Sequence, residues 1–247
     1  MGKDSPGSAA GNPSHPGISQ AVLYSPLREP AFLASLPGPM SKPQSSAPGF
    51  SSLQMKQDFL AALLQEHSLP ARTQDLALVH SRWGKPHLLI DGAPGPPVSF
   101  SWSAGAWWAA VGTASSWIGL DAASPQEFTG AFPVHKVFSP EEWQAATSLT
   151  AGNREEAAAL LWAVKEAVVK ARGCGYHFFG PRQIGLEYAG FGEHGPCWRG
   201  YLEAPGPDPA PPGTQGVLPV ASIRLDQVWL AVAWMQLAAP QSPAPEG

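Results

Sequence analysis

Between residues 53 and 238 the apolar positions follow two rhythms. LQMKQDFLAALLQEHSL, 53–69, repeats them at helical spacing and is closed by Pro70, which predicts an amphipathic helix. DLALVH (75–80) reads as a strand and SRWGKP (81–86) as a polar turn. VSFSW, WWAAVG and WIGLD are three short β-type runs between 98 and 121, with Gly or Ser between them. SPEEWQAA, from Ser139, carries a helix-start signal, with Ser as cap, Pro at the first helical position and Glu behind it. A second long helix covers 154–172 and stops at Gly173. QIGLEY, CWRGYL, VASIRL and VWLAVAW then alternate or run apolar as strands. The sum predicts an α+β fold of two similar α/β lobes that meet near 113–118.

One segment breaks the pattern. LLWAVKEAVVKARG, 160–173, carries Lys165, Glu166 and Lys170 in the middle of an apolar helix. With about 100° between successive residues, Leu160, Leu161, Val164, Ala167, Val168 and Ala171 gather on one face. Glu166 and Lys170 fall opposite, beside Trp162 and Val169. One reading makes them an i,i+4 ion pair worth roughly 0.2–0.5 kcal/mol, with Lys165 solvated. The other gives the three charges a chemical task.

Composition bounds that task. Of 247 residues 44% are hydrophobic, enough for a core, while 28 Pro and 26 Gly place part of the chain in loops. Residues 1–19 are a disordered Pro/Gly/Ser-rich tail, 20–116 the N-terminal lobe, 117–238 the C-terminal lobe and 239–247 a second tail. AVLYSPL and AFLASL within 20–50 are candidates for ordered runs, and EAPGPDPAPPGTQG, 203–216, for a long loop. A net charge of −4 without a basic block argues against nucleic acid as partner. No apolar run approaches the ~18 residues of a membrane span, and the N-terminus lacks the apolar stretch of a secretory signal. Cys174 and Cys197 have no metal-ligand spacing and read as reduced thiols, so the expected location is cytoplasmic. Two fused lobes complete a cleft without a second copy, which predicts a monomer.

The chemistry-bearing stretches are few. WIGLD ends a strand in Asp121, and WGKP with SFSWSAG behind it joins a turn, hydroxyls and one cation. Each alone is an ordinary turn. Together with Glu166 and its lysines they fit one job: two carboxylates on separate rigid elements hold Mg²⁺, which binds a diphosphate through its remaining positions. Flanking lysines neutralise phosphate oxygens, and phosphoryl transfer needs mainly such positioning and charge.

The motif order resembles the 4′-phosphopantetheinyl transferase superfamily, in its two-lobed Sfp-type branch, over about residues 53–238. WGKP (83–86) is similar to the family's G-K/R-P element, VSFSWSAGAWW (98–108) to its F-N-x-S-H-S segment and IGLD (118–121) to V-G-I-D. VFSPEEW (137–143) is similar to F-S-x-x-E, and LLWAVKEAVVKARG to the last element, W-x-x-K-E-A-x-x-K. The resemblance implies a pseudo-twofold fold with the active site in the cleft between the lobes. It also implies transfer of 4′-phosphopantetheine from coenzyme A to a serine of an apo acyl or peptidyl carrier protein, releasing 3′,5′-ADP. Asp121 and Glu166 would hold Mg²⁺, with Glu142 close to it. Lys165 and Lys170 would contact phosphates, and Lys85, Pro86 and Ser103 would hold the 3′-phospho-ADP part of coenzyme A. Glu166 would help to take the serine's proton, with Asp121 and Lys170 the other catalytic groups.

Residues 172–186 would touch the carrier, with Lys136, Arg172 and Arg182 as cations on the rim. Two positions depart from the family pattern: Ala104 stands where His is usual, and Ala123 where many members have a second acid. The alternative reading is a family member without activity that binds a carrier protein or coenzyme A.

Overall fold

The computed structural model describes residues 19–24, 30–37, 52–66, 72–113, 116–173, 175–177, 179–202 and 216–236, the first two segments by backbone alone. The expected tails, except Ser19, which opens a strand, most of the 203–216 loop and Cys174 lie outside these residues. In chain order the elements are β1 (Ser19–Tyr24), β2 (Pro30–Pro37), α1 (Ser52–Glu66), β3 (Leu76–His80), β4 (Pro86–Ile90), β5 (Ala93–Pro94), β6 (Val98–Ser103), β7 (Ala106–Val111) and β8 (Ser116–Ala123). They continue with α2 (Val134–Val137), α3 (Pro140–Leu149), α4 (Arg154–Arg172), β9 (Ile184–Phe191), β10 (Pro196–Leu202), β11 (Leu218–Leu225) and β12 (Val228–Gln236). The strands form three sheets of mixed company with the helices, in the orders β1-β2-β7-β6, β3-β4-β5 and β8-β12-β11-β10-β9. Neighbouring strands in all three run antiparallel, so the fold is a mixed α and β one.

The apolar face of α1 explains the first core. Phe59, Leu60, Leu63 and Leu64 pack on Leu76, Leu78 and Leu88 and on Val98, Ala109 and Val111. In the five-stranded sheet, the period-2 alternation of β8 assigns its two faces. Ile118, Leu120 and Ala122 join Leu230, Val232 and Trp234 of β12 and meet Trp108 and Ala110 of β7. The opposite face, with Gly119, Asp121 and Ala123 in alternation, lies under α4. There Ala167, Val168 and Ala171 pack with Ala123, Ala231 and Ala233.

Helix α4 has sharp ends. Asn153 caps its start by accepting from the Glu156 amide at 2.9 Å, and Gly173 closes it in the left-handed region at φ 75°. Helix α3 starts as the sequence suggests: Ser139 accepts from the Glu142 amide at 3.1 Å, and Glu142 accepts from the Ser139 amide at 2.8 Å. No helix among the described residues is long and apolar enough to cross a membrane.

Two contacts join the sheets to α4 and to each other. At Gly119 an added Cβ would overlap the carbonyl oxygen of Ala167 and the amide nitrogen of Ala171, so the strand and helix backbones touch there. Along the other side of β8, alternate serines of β6 form a ladder. Ser99 Oγ accepts from the Leu120 amide at 2.8 Å, Ser101 Oγ donates to Asp121 Oδ1 at 2.7 Å, and Ser103 Oγ donates to Glu127 Oε1 at 2.5 Å. All three serines are buried.

Because backbone atoms rather than a yielding side chain oppose the new methyl, Gly119→Ala is expected to destabilise the fold by about 3 kcal/mol or more, beyond ordinary overpacking. Urea unfolding measures it; an unchanged midpoint would mean that β8 and α4 are not in backbone contact.

Candidate functional site

Helix α4 is buried on all sides from Ala157 to Arg172 except along Trp162, Glu166 and Lys170, which are half-buried. Four-residue spacing puts these three on one stripe. That stripe is the open side of an otherwise enclosed helix, which explains why an aromatic ring stands beside two charges there.

Lys170 does not pair with Glu166 along the helix. Its ammonium donates to Asp121 Oδ1 at 2.6 Å and to the Phe100 carbonyl at 3.2 Å. Asp121 is only 5% exposed and its Oδ1 also takes the Ser101 hydroxyl. Glu166 accepts no hydrogen bond among the described residues. Burial pushes its pKa up to about 7, the negative charge of Asp121 adds to the rise, and Lys170 opposes it. Two carboxylates that repel each other, with one ammonium between them and the cleft, make a site short of positive charge.

Beside it lies a cavity of about 190 Å³, walled by Lys56 of α1, by His80, Trp83, Lys85 and Pro86 around the β3–β4 turn, and by Lys170. Lys85 donates to the Ala171 carbonyl at 2.9 Å and sits 4.8 Å from the Trp117 ring centre. Its stem fills the space at Gly173, where an added Cβ would come within 2.6 Å of Lys85 Cδ. Lys56 lies 4.6 Å from the Trp107 ring centre and 5.3 Å from that of Phe100. Burial, then the charge of Lys170, lowers its pKa. Aromatic faces and carbonyls hold an ammonium group without neutralising it, so this cleft favours anions in a chain whose net charge is −4.

Three other expected site residues are engaged elsewhere. Lys165 is 1% exposed, and its ammonium donates to Glu142 Oε1 at 2.9 Å, the Pro181 carbonyl at 3.0 Å and the Ile184 carbonyl at 2.6 Å. That uses all three donors of the group, so it is neither solvated nor aimed at the cavity. Glu142, 4% exposed, accepts also from the Leu186 amide at 2.9 Å and from the cap of α3. Among the described residues no three His, Cys, Asp or Glu side chains gather as a metal-ligand group, so Glu142 does not join Asp121 and Glu166. Ser103 gives its hydroxyl to Glu127 rather than to the cavity.

The positions of the family departures and of the expected rim cations follow from the same packing. Ala123 is wholly buried in the core under α4, where a second acid would have no water. Ala104 is exposed at the β6–β7 turn with φ 50°. Arg172 is buried and donates to the Gly216 carbonyl, while Lys136 and Arg182 are exposed. Sequence reasoning missed Ser101, although S-x-S-x-S alternation marks a hydroxyl-lined strand face.

Comparison with known proteins adds one finding. The family model described as 4′-phosphopantetheinyl transferase superfamily matches residues 118–190, a stretch that runs from β8 through α4 into β9. No curated protein matches the chain. Asp121, Glu142, Lys165, Glu166 and Lys170 all fall inside the matched stretch. Over residues 118–190, less than half of its length, the chain is therefore similar to the 4′-phosphopantetheinyl transferase superfamily.

Proposed function

We propose that the protein transfers 4′-phosphopantetheine from coenzyme A to a serine of an apo acyl or peptidyl carrier protein and releases 3′,5′-ADP. It does so as a cytoplasmic monomer, with the reaction in a cleft between two lobes. The observation that carries this reading is the 2.6 Å pair of Asp121 and Lys170, which ties a strand to a helix one turn from Glu166, beside a cavity walled by Lys56, Lys85 and Lys170. A diphosphate with a nucleotide attached is the anion that such a cleft suits. Lys85 and Lys56 hold its phosphates, and Trp83 and Pro86 flank them.

The two carboxylates fit Mg²⁺, which takes one or two protein oxygens and completes its shell with water and phosphate. Glu166 without a partner and under repulsion from Asp121 is the group that a dication would relieve. When bound, the ion neutralises diphosphate charge. The residues of the chain do the rest. The serine Oγ attacks the phosphorus that bears pantetheine, an O–P bond forms, and the bond to 3′,5′-ADP breaks with its electron pair on the departing oxygen. The serine proton passes to Glu166, the carboxylate on the open stripe of α4. Lys170 balances the charge that grows on the departing side.

Ala123, buried where a second acid stands in many relatives, favours the rival reading of a binding module without activity. Incubation with coenzyme A, Mg²⁺ and apo carrier protein, read by mass spectrometry, decides between them: one phosphopantetheine gained on the carrier supports transfer, and none sinks it. Asp121→Ala and Glu166→Gln are each expected to lower turnover at least ~100-fold, and chelation of Mg²⁺ to abolish it; a near-normal rate in either variant removes that residue from the site.

The two lysines of the motif separate in assay. Lys170→Ala is expected to lower kcat more than coenzyme A affinity, with the fold intact. Lys165→Ala strands Glu142 and is expected to destabilise the protein by about 3–5 kcal/mol, read by chemical unfolding.

Glu166 also sets a pH dependence. Its folded pKa of about 7 exceeds the ordinary 4.5, so its stabilising protonation is complete below 4.5 and is lost as pH rises through 7. In metal-free protein Glu166→Gln is expected to raise Tm at about pH 8 and to lose that gain towards about pH 4.5. An equal gain at both ends would show that Glu166 does not titrate as described.

A further inference from the structure

The three hydroxyls of the β6 ladder have different tasks. Ser99 Oγ accepts from the Leu120 amide and so serves the backbone. Ser103 Oγ donates to Glu127, whose carboxylate also accepts from the Ser124 amide at 3.1 Å and closes the turn after β8. Ser101 Oγ donates at 2.7 Å to Asp121, an acid of the candidate site. It meets Asp121 at Oδ1, the oxygen that Lys170 also reaches, at 2.6 Å.

A carboxylate oxygen has about two lone-pair sites, so these two donors fill Oδ1. Oδ2 accepts no hydrogen bond among the described residues, yet it is not one of the buried atoms left without a partner. The part of the side chain that stays open, 8%, therefore includes Oδ2. One oxygen is held and the other is left to a ligand.

The two donors differ in stiffness. Lys170 comes from α4 on a long flexible stem, with its side chain 29% exposed. Ser101 comes from a strand through a single rotor and is buried. Beside it the Phe100 carbonyl accepts from Lys170 at 3.2 Å, so residues 100 and 101 of β6 hold both members of the ion pair.

We propose that Ser101 is the positioning residue of Asp121: with Lys170 it occupies Oδ1 and thereby turns Oδ2 towards a divalent cation. This assignment rests on the reading of Asp121 as a Mg²⁺-holding residue above. Ser101 itself touches neither the ion nor the substrate, and it moves no proton. Its hydroxyl orders the carboxyl group in advance, so that binding need not order it. With alanine at 123 the strand offers no second acid to share the task.

The test is titration of the metal-free full chain with Mn²⁺, a dication of similar oxygen preference, read by the electron paramagnetic resonance of the free ion. In Ser101→Ala the affinity for Mn²⁺ is expected to fall roughly 10- to 100-fold, while Tm falls by no more than about 5 °C. Ser101→Thr, which keeps the hydroxyl, is expected to recover most of the lost affinity. Wild-type protein that binds Mn²⁺, with Ser101→Ala binding it equally well, overturns the assignment and leaves the transferase reading standing. A larger fall in Tm, failure of Ser101→Ala to fold, or no recovery in Ser101→Thr also overturns it, since position 101 would then serve packing. Wild-type protein that binds no Mn²⁺ overturns the metal role of Asp121 and the assignment together.

Discussion

The contact on which the site depends is the one between the backbones of β8 and α4 at Gly119. With no side chain there, and alanine at 167 and 171, the helix sits directly on the strand. Gly119 and Asp121 share a face of β8, so the same approach that removes a side chain at one position brings the acid at the other up to the helix. Lys170 then reaches Asp121 at 2.6 Å. A bulky residue at 119 would lift the helix by more than the tolerance of that ion pair. Close packing is here a condition for the chemistry, because two charges on different elements can share one volume only if the elements touch.

The same helix shows how a rotation of about 100° decides the fate of a charge. Lys165 and Glu166 are neighbours in sequence, about 100° apart around the axis. Lys165 turns into the region enclosed by α3 and residues 181–184, where three acceptors and the ring of Phe138 hold it. Glu166 turns to the open stripe and finds no such partners. A buried ion pair whose ammonium protons are all engaged and whose carboxylate also accepts from two backbone amides tolerates low dielectric, while a half-buried acid without partners stays ready for a ligand. The pair Lys165–Glu142 thereby fixes the segment after α4 against α3.

Much of this was legible in the sequence. The limits of α4, the Ser139 cap and the strand that carries Asp121 follow from local rules of capping and alternation, which depend on a few neighbouring residues. The strand does not end at Asp121 as expected: pairing with β12 carries it on to Ala123, so the acid sits within the sheet. Asp121 and Lys170 were legible together because strand alternation and the helix stripe constrain where side chains can point. Lys165 was not, because helical periodicity says which residues share a face and nothing about what covers it. Its acceptors come from Pro181 and Ile184, 16 and 19 positions away. The hydroxyl of Ser103 looked available for phosphate until Glu127 was found 24 positions on.

The serine ladder of β6 has a bearing on association between chains. β8 borders the five-stranded sheet, and the outer border of a sheet invites strands from other molecules. Here the amide of Leu120 on that border is taken by a hydroxyl, and side chains rather than a backbone ladder bridge β6 to β8. Two sheets thus lie against each other without fusing into one, and the seam leaves little template for a foreign strand to extend.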